Sequence, residues 1–164
     1  MKKTIKASGD TARKRSDNIK HLLEVAHRKG IITEWAPQLT RAKINRACLE
    51  YGPEGVVSYL RDEWTPERPT TNYCWVISEV ALRLVMPKGT TCWRVDVDGH
   101  GFYHWFLKDP NGTIVDLTLD QAEDWREIPE YNKAKRYYFR PVMSKRGKKL
   151  AELLGIIEED KDEH

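Results

Sequence analysis

Apolar residues recur along this chain with two different periods. Ile77, Val80, Ala81, Leu84 and Val85 fall at i, i+3, i+4, i+7 and i+8, the spacing of one buried helical face. Thr71 or Asn72 offers an N-cap oxygen, and Pro87 and Gly89 stop the helix at its other end. Cys74 then lies in the first turn, close to the buried stripe. There, unpaired backbone N–H groups and the positive end of the helix dipole favour a thiolate over a thiol.

After Gly89 the period becomes two. Trp93, Val95 and Val97 alternate with Arg94, Asp96 and Asp98, predicting a half-buried strand, which Asp98-Gly99-His100-Gly101 turns into a second strand carrying His104. Asp109-Pro110-Asn111-Gly112 suits a type I turn with a left-handed glycine, closing a three-residue loop with a bulge. That register sets Asp109 opposite Thr113, Phe106 opposite Asp116 and His104 opposite Thr118. His104 and Asp116 become diagonal neighbours on one face, with Cβ atoms about 7 Å apart. A two-residue loop would put them on opposite faces. Tyr103, Trp105, Leu107, Val115 and Leu117 form the other, apolar face, which is expected to be buried, and the ribbon is expected to run through Thr118.

Helical patterns flank this region. Ile19, Leu22, Leu23 and Ala26 mark a helix from Asp10 to Lys29, ended by Gly30. A second runs from Pro37 or Gln38 to Tyr51 with Ile44, Ala47, Cys48 and Tyr51 inward, and Pro53 opens a short third carrying Val56, Val57 and Leu60. These three are expected to form a cap or side layer. The proline-bearing loop Thr65–Thr70 leads into the Cys74 helix, either as a cleft wall or as a surface connection. Asp120 to Glu127 is a short helix or turn ended by Ile128-Pro129, and Tyr137-Tyr138-Phe139 suggests a fourth strand. Ser144 caps a last helix, Lys145 to Leu154, docked by Leu150, Leu153 and Leu154 before Gly155. Together these elements predict an α+β fold: an antiparallel sheet of about four strands, the Cys74 helix packed on it, and an N-terminal layer of helices.

Composition narrows the class. With 164 residues the chain is read as a single domain, 1–164, with 1–8 and 157–164 as flexible ends. A charged content of 32% and a mean hydropathy of −0.68 describe a globular protein in water rather than in a bilayer, and no apolar run is long enough to cross one. No membrane partner is expected. Met1-Lys2-Lys3-Thr4 opens like a signal peptide, but Lys6, Asp10, Arg13 and Lys14 occupy the place of an apolar core, so a cytoplasmic protein is expected. Cys48, Cys74 and Cys92 lack paired spacing and read as reduced thiols. The net charge of +3 does not by itself argue for nucleic acid. A basic N-terminal arm up to Gly30, or the mix of Tyr131, Lys133, Lys135, Arg136 and Arg140 with nearby aromatics, is the weaker case for such a partner. The stretch Glu158–Glu163 is an acidic tail. No phosphate-cradling or dinucleotide pattern is present, so no cofactor is expected. Cys74, Cys92, His100 and His104 include zinc's preferred ligand types, yet His100 and His104 would lie roughly 13 Å apart on a strand, so no metal site is expected.

The chemistry that remains is nucleophilic. Cys74 is the candidate nucleophile, His104 the base and Asp116 the group that orients it. His100 is the rival base, but it sits between glycines in a predicted turn. The block Asn72-Tyr73-Cys74 opening a helix, the run HWFLKDPNGTIVDLTLDQ from His104 to Gln121, and the later SKRGKKLAELL resemble small tailed-phage proteins and, more distantly, the YunG-like branch of the papain-like superfamily. The resemblance spans Asn72 to about Leu154. It implies a papain-like minimal fold and a thiol hydrolase of peptidase or amidase type, acting in a host cytoplasm on a peptide, amide or protein. Cys74, His104 and Asp116 take the three catalytic positions, and Asp120 and Gln121 fit a trailing D-Q pair. Papain-like enzymes place a glutamine upstream of the nucleophile, whereas here Tyr73 precedes Cys74 and the nearest upstream glutamine is Gln38. Asn72, Thr71, Trp75 and Gln121 are therefore the candidate oxyanion or substrate-binding positions, beside the Cys74 N–H. The alternative is a non-catalytic phage factor that binds a host protein or nucleic acid on the same fold.

Overall fold

Loop chemistry sets the register of the sheet. Asp109 N–H donates to Thr113 O and Gly112 N–H to Asp109 O, both at 2.9 Å, with Gly112 at φ 84°. The two strands thus joined are β2 (Tyr103–Lys108) and β3 (Ile114–Val115), which pair Leu107 with Val115 and Lys108 with Ile114, the register obtained by counting across the turn. On the other edge of β2 lies β1 (Thr91–Asp96), antiparallel from Thr91–Lys108 to Asp96–Tyr103. Outermost is β4 (Lys135–Tyr137), which pairs Cys92 with Tyr137 and starts two residues before the expected Tyr137–Phe139 run. The computed structural model describes residues 9–158, and in it these strands form one antiparallel sheet in the order β3-β2-β1-β4. The proposed flexible N-terminus, its lysines, and the tail beyond residue 158 lie outside the described residues.

β3 is shorter than expected: its last residue paired with β2 is Val115, and the ribbon does not run through Thr118. On the far edge of β3, Asp116 N–H donates to Ile32 O at 2.8 Å, and Ile32 bridges Val115 in parallel. Alongside Tyr103–Trp105, the edge of β2 has no strand beside it among the described residues.

Register partners share a face of the sheet, so Cys92, Trp105, Leu107 and Val115 point one way and Trp93, Val95, His104 and Phe106 the other. Three helices cover the first face: α2 (Arg41–Tyr51), α3 (Cys74–Leu84) and α4 (Lys145–Leu153). Ile44, Ala47, Val76, Ile77, Val80, Leu150 and Ala151 meet Cys92, Leu107 and Val115 in one core. α1 (Gly9–Arg28) serves the second face, where Ile19, Leu22 and Ala26 join Val95, Phe106, Leu119 and Tyr131. The N-terminal helices are thus divided between two layers rather than forming one. The reason lies in β1, which buries Cys92 on one side and Val95 on the other, so both sides need a cover.

Local differences follow from caps. α2 starts at Arg41, later than Pro37 or Gln38, because Thr40 Oγ1 accepts from Lys43 N–H at 3.3 Å and Trp35–Leu39 closes a turn first. The expected third helix is two short 3₁₀ stretches, Gly52–Gly55 and Ser58–Glu63, with Val56 buried between them. α3 is not capped by Thr71 or Asn72: its N-cap is Tyr73, with no side-chain cap bond, and Asn72 holds φ 63°. Leu84, expected inside, is 41% exposed, while Glu79 is 1% exposed. Glu79 is held in by α4, since its carboxylate accepts from Ser144 N–H at 3.1 Å, from the Ser144 hydroxyl, and from Arg83 Nε at 3.3 Å. Ser144 in turn caps Gly147 N–H, as expected. Among the described residues, no helix is long and apolar enough to cross a membrane.

Candidate active site

The body of α3 lies on the face of the sheet opposite His104, yet its first residue meets that histidine. The contact is made across the open edge of β2. Val97 N–H bonds Phe102 O, so even-numbered β2 residues turn their backbone groups to β1 and odd-numbered ones turn theirs to the opposite edge. Trp105 N–H is therefore aimed at the gap left by β3, where it hydrogen-bonds the Cys74 sulfur. The sulfur also hydrogen-bonds the His104 ring.

These neighbours set the charge state. Burial by itself would push the Cys74 thiol up, but the hydrogen bond and charge of His104, together with Trp105 N–H, outweigh it and hold the thiol below its ordinary value. Burial would likewise pull His104 down. The charge and hydrogen bond of Asp116, aided by Cys74, instead raise it to about 10. The favoured pair is a thiolate beside an imidazolium. The other two thiols behave oppositely: burial drives Cys48 and Cys92 above the usual thiol range.

Asp116 is fully buried, and its Oδ2 takes His104 Nε2 at 2.7 Å. That leaves Nδ1 as the nitrogen for the thiol side. Tyr131 Oη donates to the same Oδ2 at 2.8 Å. Burial, reinforced by the Asp116 charge, drives the Tyr131 phenol far above its ordinary range, so it stays a donor. Sequence reasoning placed Tyr131 on a basic aromatic surface; no local pattern marks it as the partner of Asp116.

Gln121 completes the group. Its Oε1 accepts from Asn72 N–H at 3.0 Å, which fixes the amide orientation, because a backbone N–H can only donate. Nε2 then donates to Thr118 Oγ1 at 3.1 Å and lies 3.3 Å from His104 Nδ1, a contact that is a hydrogen bond only while that nitrogen carries no proton. A glutamine donor therefore stands beside His104 and lines the same cleft as Cys74, delivered from downstream of the cysteine. The short 3₁₀ turn Leu119–Gln121 that carries it is braced from beneath: Arg15 donates to Asp120 O at 2.7 Å and Ala122 O at 2.6 Å, and Arg68 donates to Gln121 O. Asp120 points away from the site, taking Thr70 Oγ1 at 2.8 Å and Asn45 Nδ2 at 2.9 Å. The Thr65–Thr70 loop is thus a surface connection, with Pro66 and Glu67 exposed, that turns Arg68 and Thr70 inward as braces and lines no part of the cleft.

The structure brings Cys74, His104, Asp116 and Gln121 together and sends the other candidates elsewhere. Asn72 offers only its backbone, its side chain reaching Leu60 O and Glu63. Thr71 is buried without facing the cleft, and Trp75 donates to Tyr137 Oη at 2.9 Å and packs on Phe139. His100 is exposed in the β1–β2 turn. Among the described residues, no group of three or more His, Cys, Asp or Glu side chains could hold a metal ion.

Cys74 and His104 open into a cleft of about 840 Å³, between the β1–β2 turn and the segment 119–133. Its walls include Phe102, Tyr103, Leu119, Gln121, Ile128 and Pro129. Of the three buried cysteines, only Cys74 lines this space. The chain matches no family model, no curated protein and no solved structure.

Proposed function

We propose that this protein is a thiol hydrolase or acyltransferase of papain-like organisation, acting on an amide, ester or isopeptide bond. The single observation that carries the reading is the chain of contacts Cys74–His104–Asp116 at the floor of an open cleft, with Nε2 of the imidazole 2.7 Å from the carboxylate. A cysteine opening a helix, a histidine on the second strand and an aspartate just past the third also follow the papain-like order.

The Cys74 thiolate attacks the carbonyl carbon, and the carbonyl electrons move to oxygen. That oxyanion is met by Cys74 N–H, an unpaired donor of the first helical turn, and by Gln121 Nε2. His104 gives its Nδ1 proton to the leaving group, which departs as the thioester forms. Water, or an acceptor nucleophile, then loses a proton to His104 and attacks the thioester, and collapse returns the thiolate–imidazolium pair. Asp116 holds the ring orientation and the imidazolium charge. Three free thiols suit a reducing compartment such as a host cytoplasm, and the resemblance to tailed-phage proteins supports a phage origin.

Labelling with a panel of thiol-directed acyl probes tests the reading. Wild-type protein should form one acyl adduct, mapped to Cys74, and Cys74→Ala and His104→Ala should form none. Adducts spread equally over Cys48, Cys74 and Cys92 would leave a binding protein without catalysis.

A further inference from the structure

We propose that Tyr131 is a positioning residue for the His104–Asp116 pair: its hydroxyl competes with the imidazole for one carboxylate oxygen, setting how tightly His104 is gripped and tying the cleft wall to the triad. The inference rests on the reading of Cys74 and His104 as nucleophile and base. Its geometry is specific. Tyr131 Oη and His104 Nε2 lie 2.8 and 2.7 Å from the same atom, Asp116 Oδ2. The other oxygen, Oδ1, is buried with no hydrogen-bond partner among the described residues. Two donors on one oxygen share its electron density, so each bond weakens the other. The titratable groups facing His104 are Asp116 and Cys74, and Tyr131 reaches it through the carboxylate alone.

The position of Tyr131 in the chain adds the second half. It opens the turn Tyr131–Lys133, directly after Ile128, Pro129 and Glu130, and all three of these line the cleft, as does Lys133. Its ring is 8% exposed and packs edge-on against Phe106, with centroids 4.8 Å apart. The ring is thus anchored on the same sheet face as His104, while the flanking residues touch whatever fills the cleft. A ligand that shifts this wall shifts the donor on Oδ2.

Two replacements separate positioning from packing. Tyr131→Phe keeps the ring and deletes the donor, while 3,5-difluorotyrosine at 131 keeps both and strengthens the donor. The readout is the NMR titration of the His104 imidazole. With Oδ2 left to His104 alone, Tyr131→Phe should raise the titration midpoint by about half a pH unit, and the fluorinated residue should lower it by less. Midpoints that stay at the wild-type value in both proteins, or move in the reverse directions, overturn the proposal and leave Tyr131 a packing residue. The titration does not require a working nucleophile. If wild-type Cys74 alkylates no faster than Cys48 and Cys92, the hydrolase reading fails while the Tyr131 result still stands or falls by its own midpoints.

Discussion

Two buried carboxylates, Asp116 and Glu79, lie in different layers of this molecule and are built alike. Each is at most 1% exposed, and each accepts from a hydroxyl, Tyr131 for Asp116 and Ser144 for Glu79. Each also faces a nitrogen base, His104 Nε2 at 2.7 Å and Arg83 Nε at 3.3 Å. The difference is in the base and in what lies beyond it. A guanidinium does not release its proton, and Glu79 is closed in by the start of α4, where a Cβ on Gly147 would run into its Oε1. An imidazole does release its proton, and His104 leads from Asp116 to a thiol in an open cleft. Both regions are buried and hydrogen-bonded; the Asp116 region differs in having a titratable middle member that faces an open cleft.

That contrast can be broken experimentally, and the largest effect should fall on the open side. His104→Ala should slow iodoacetamide alkylation of Cys74 at pH 6 by about a thousandfold, within the usual range for losing a positioned base. Peptide mapping by mass spectrometry checks this, with Cys48 and Cys92 as internal references that should stay slow in both proteins. Unfolding midpoints should also fall, because Asp116 stays buried without its imidazole partner, so the rate is read on protein that remains folded. If Cys74 alkylates at the same rate in both folded proteins, the pair is structural, like its counterpart.

On the closed side the pattern should reverse. Glu79→Ala removes the acceptor that the partly buried Ser144 and Arg83 share, and losing those bonds should cost about 2 kcal/mol, measured by urea denaturation. Cys74 in the molecules that remain folded should alkylate at the wild-type rate. Gln121→Ala should act the other way, lowering the turnover of an acyl probe about a hundredfold through loss of one oxyanion donor. Its adduct would still map to Cys74.

Much of the open side was legible in the chain because it is local. The Asp109–Gly112 turn fixes the register, and the register puts His104 and Asp116 on one face. Three other features had no such local source. β3 stops pairing with β2 at Val115, which leaves Trp105 N–H facing Cys74, and no local pattern marks that end. Tyr131 and Arg68 reach the site only through tertiary packing. Leu84 was read as core, and nothing in the helical stripe pointed to Glu79, because such a stripe carries no signal for a carboxylate kept inside by the cap of another helix.

The smallest effect is also the one most specific to a thiolate–imidazolium pair. His104 is raised from 6.5 to about 10, so alone it would contribute stability that is complete below 6.5 and lost as pH rises through about 10. Cys74 is lowered from 9.0, so alone it would contribute stability present above 9.0 and lost as pH falls through its lowered value. Between the lowered Cys74 value and its ordinary 9.0, the unfolded chain carries one proton on sulfur and the folded chain one on imidazole. Folding then moves a proton without taking one up, and this pair should add no slope to stability against pH. Cys74→Ala removes the compensation while Asp116 still holds His104 protonated, so stability should fall between pH 7.5 and 9, by about 1 kcal/mol for each pH unit. Urea titrations of the two proteins across that range decide it: parallel curves would mean that Cys74 keeps its proton in the folded protein, and the thiolate–imidazolium pair would then disappear from the contrast between the two carboxylates.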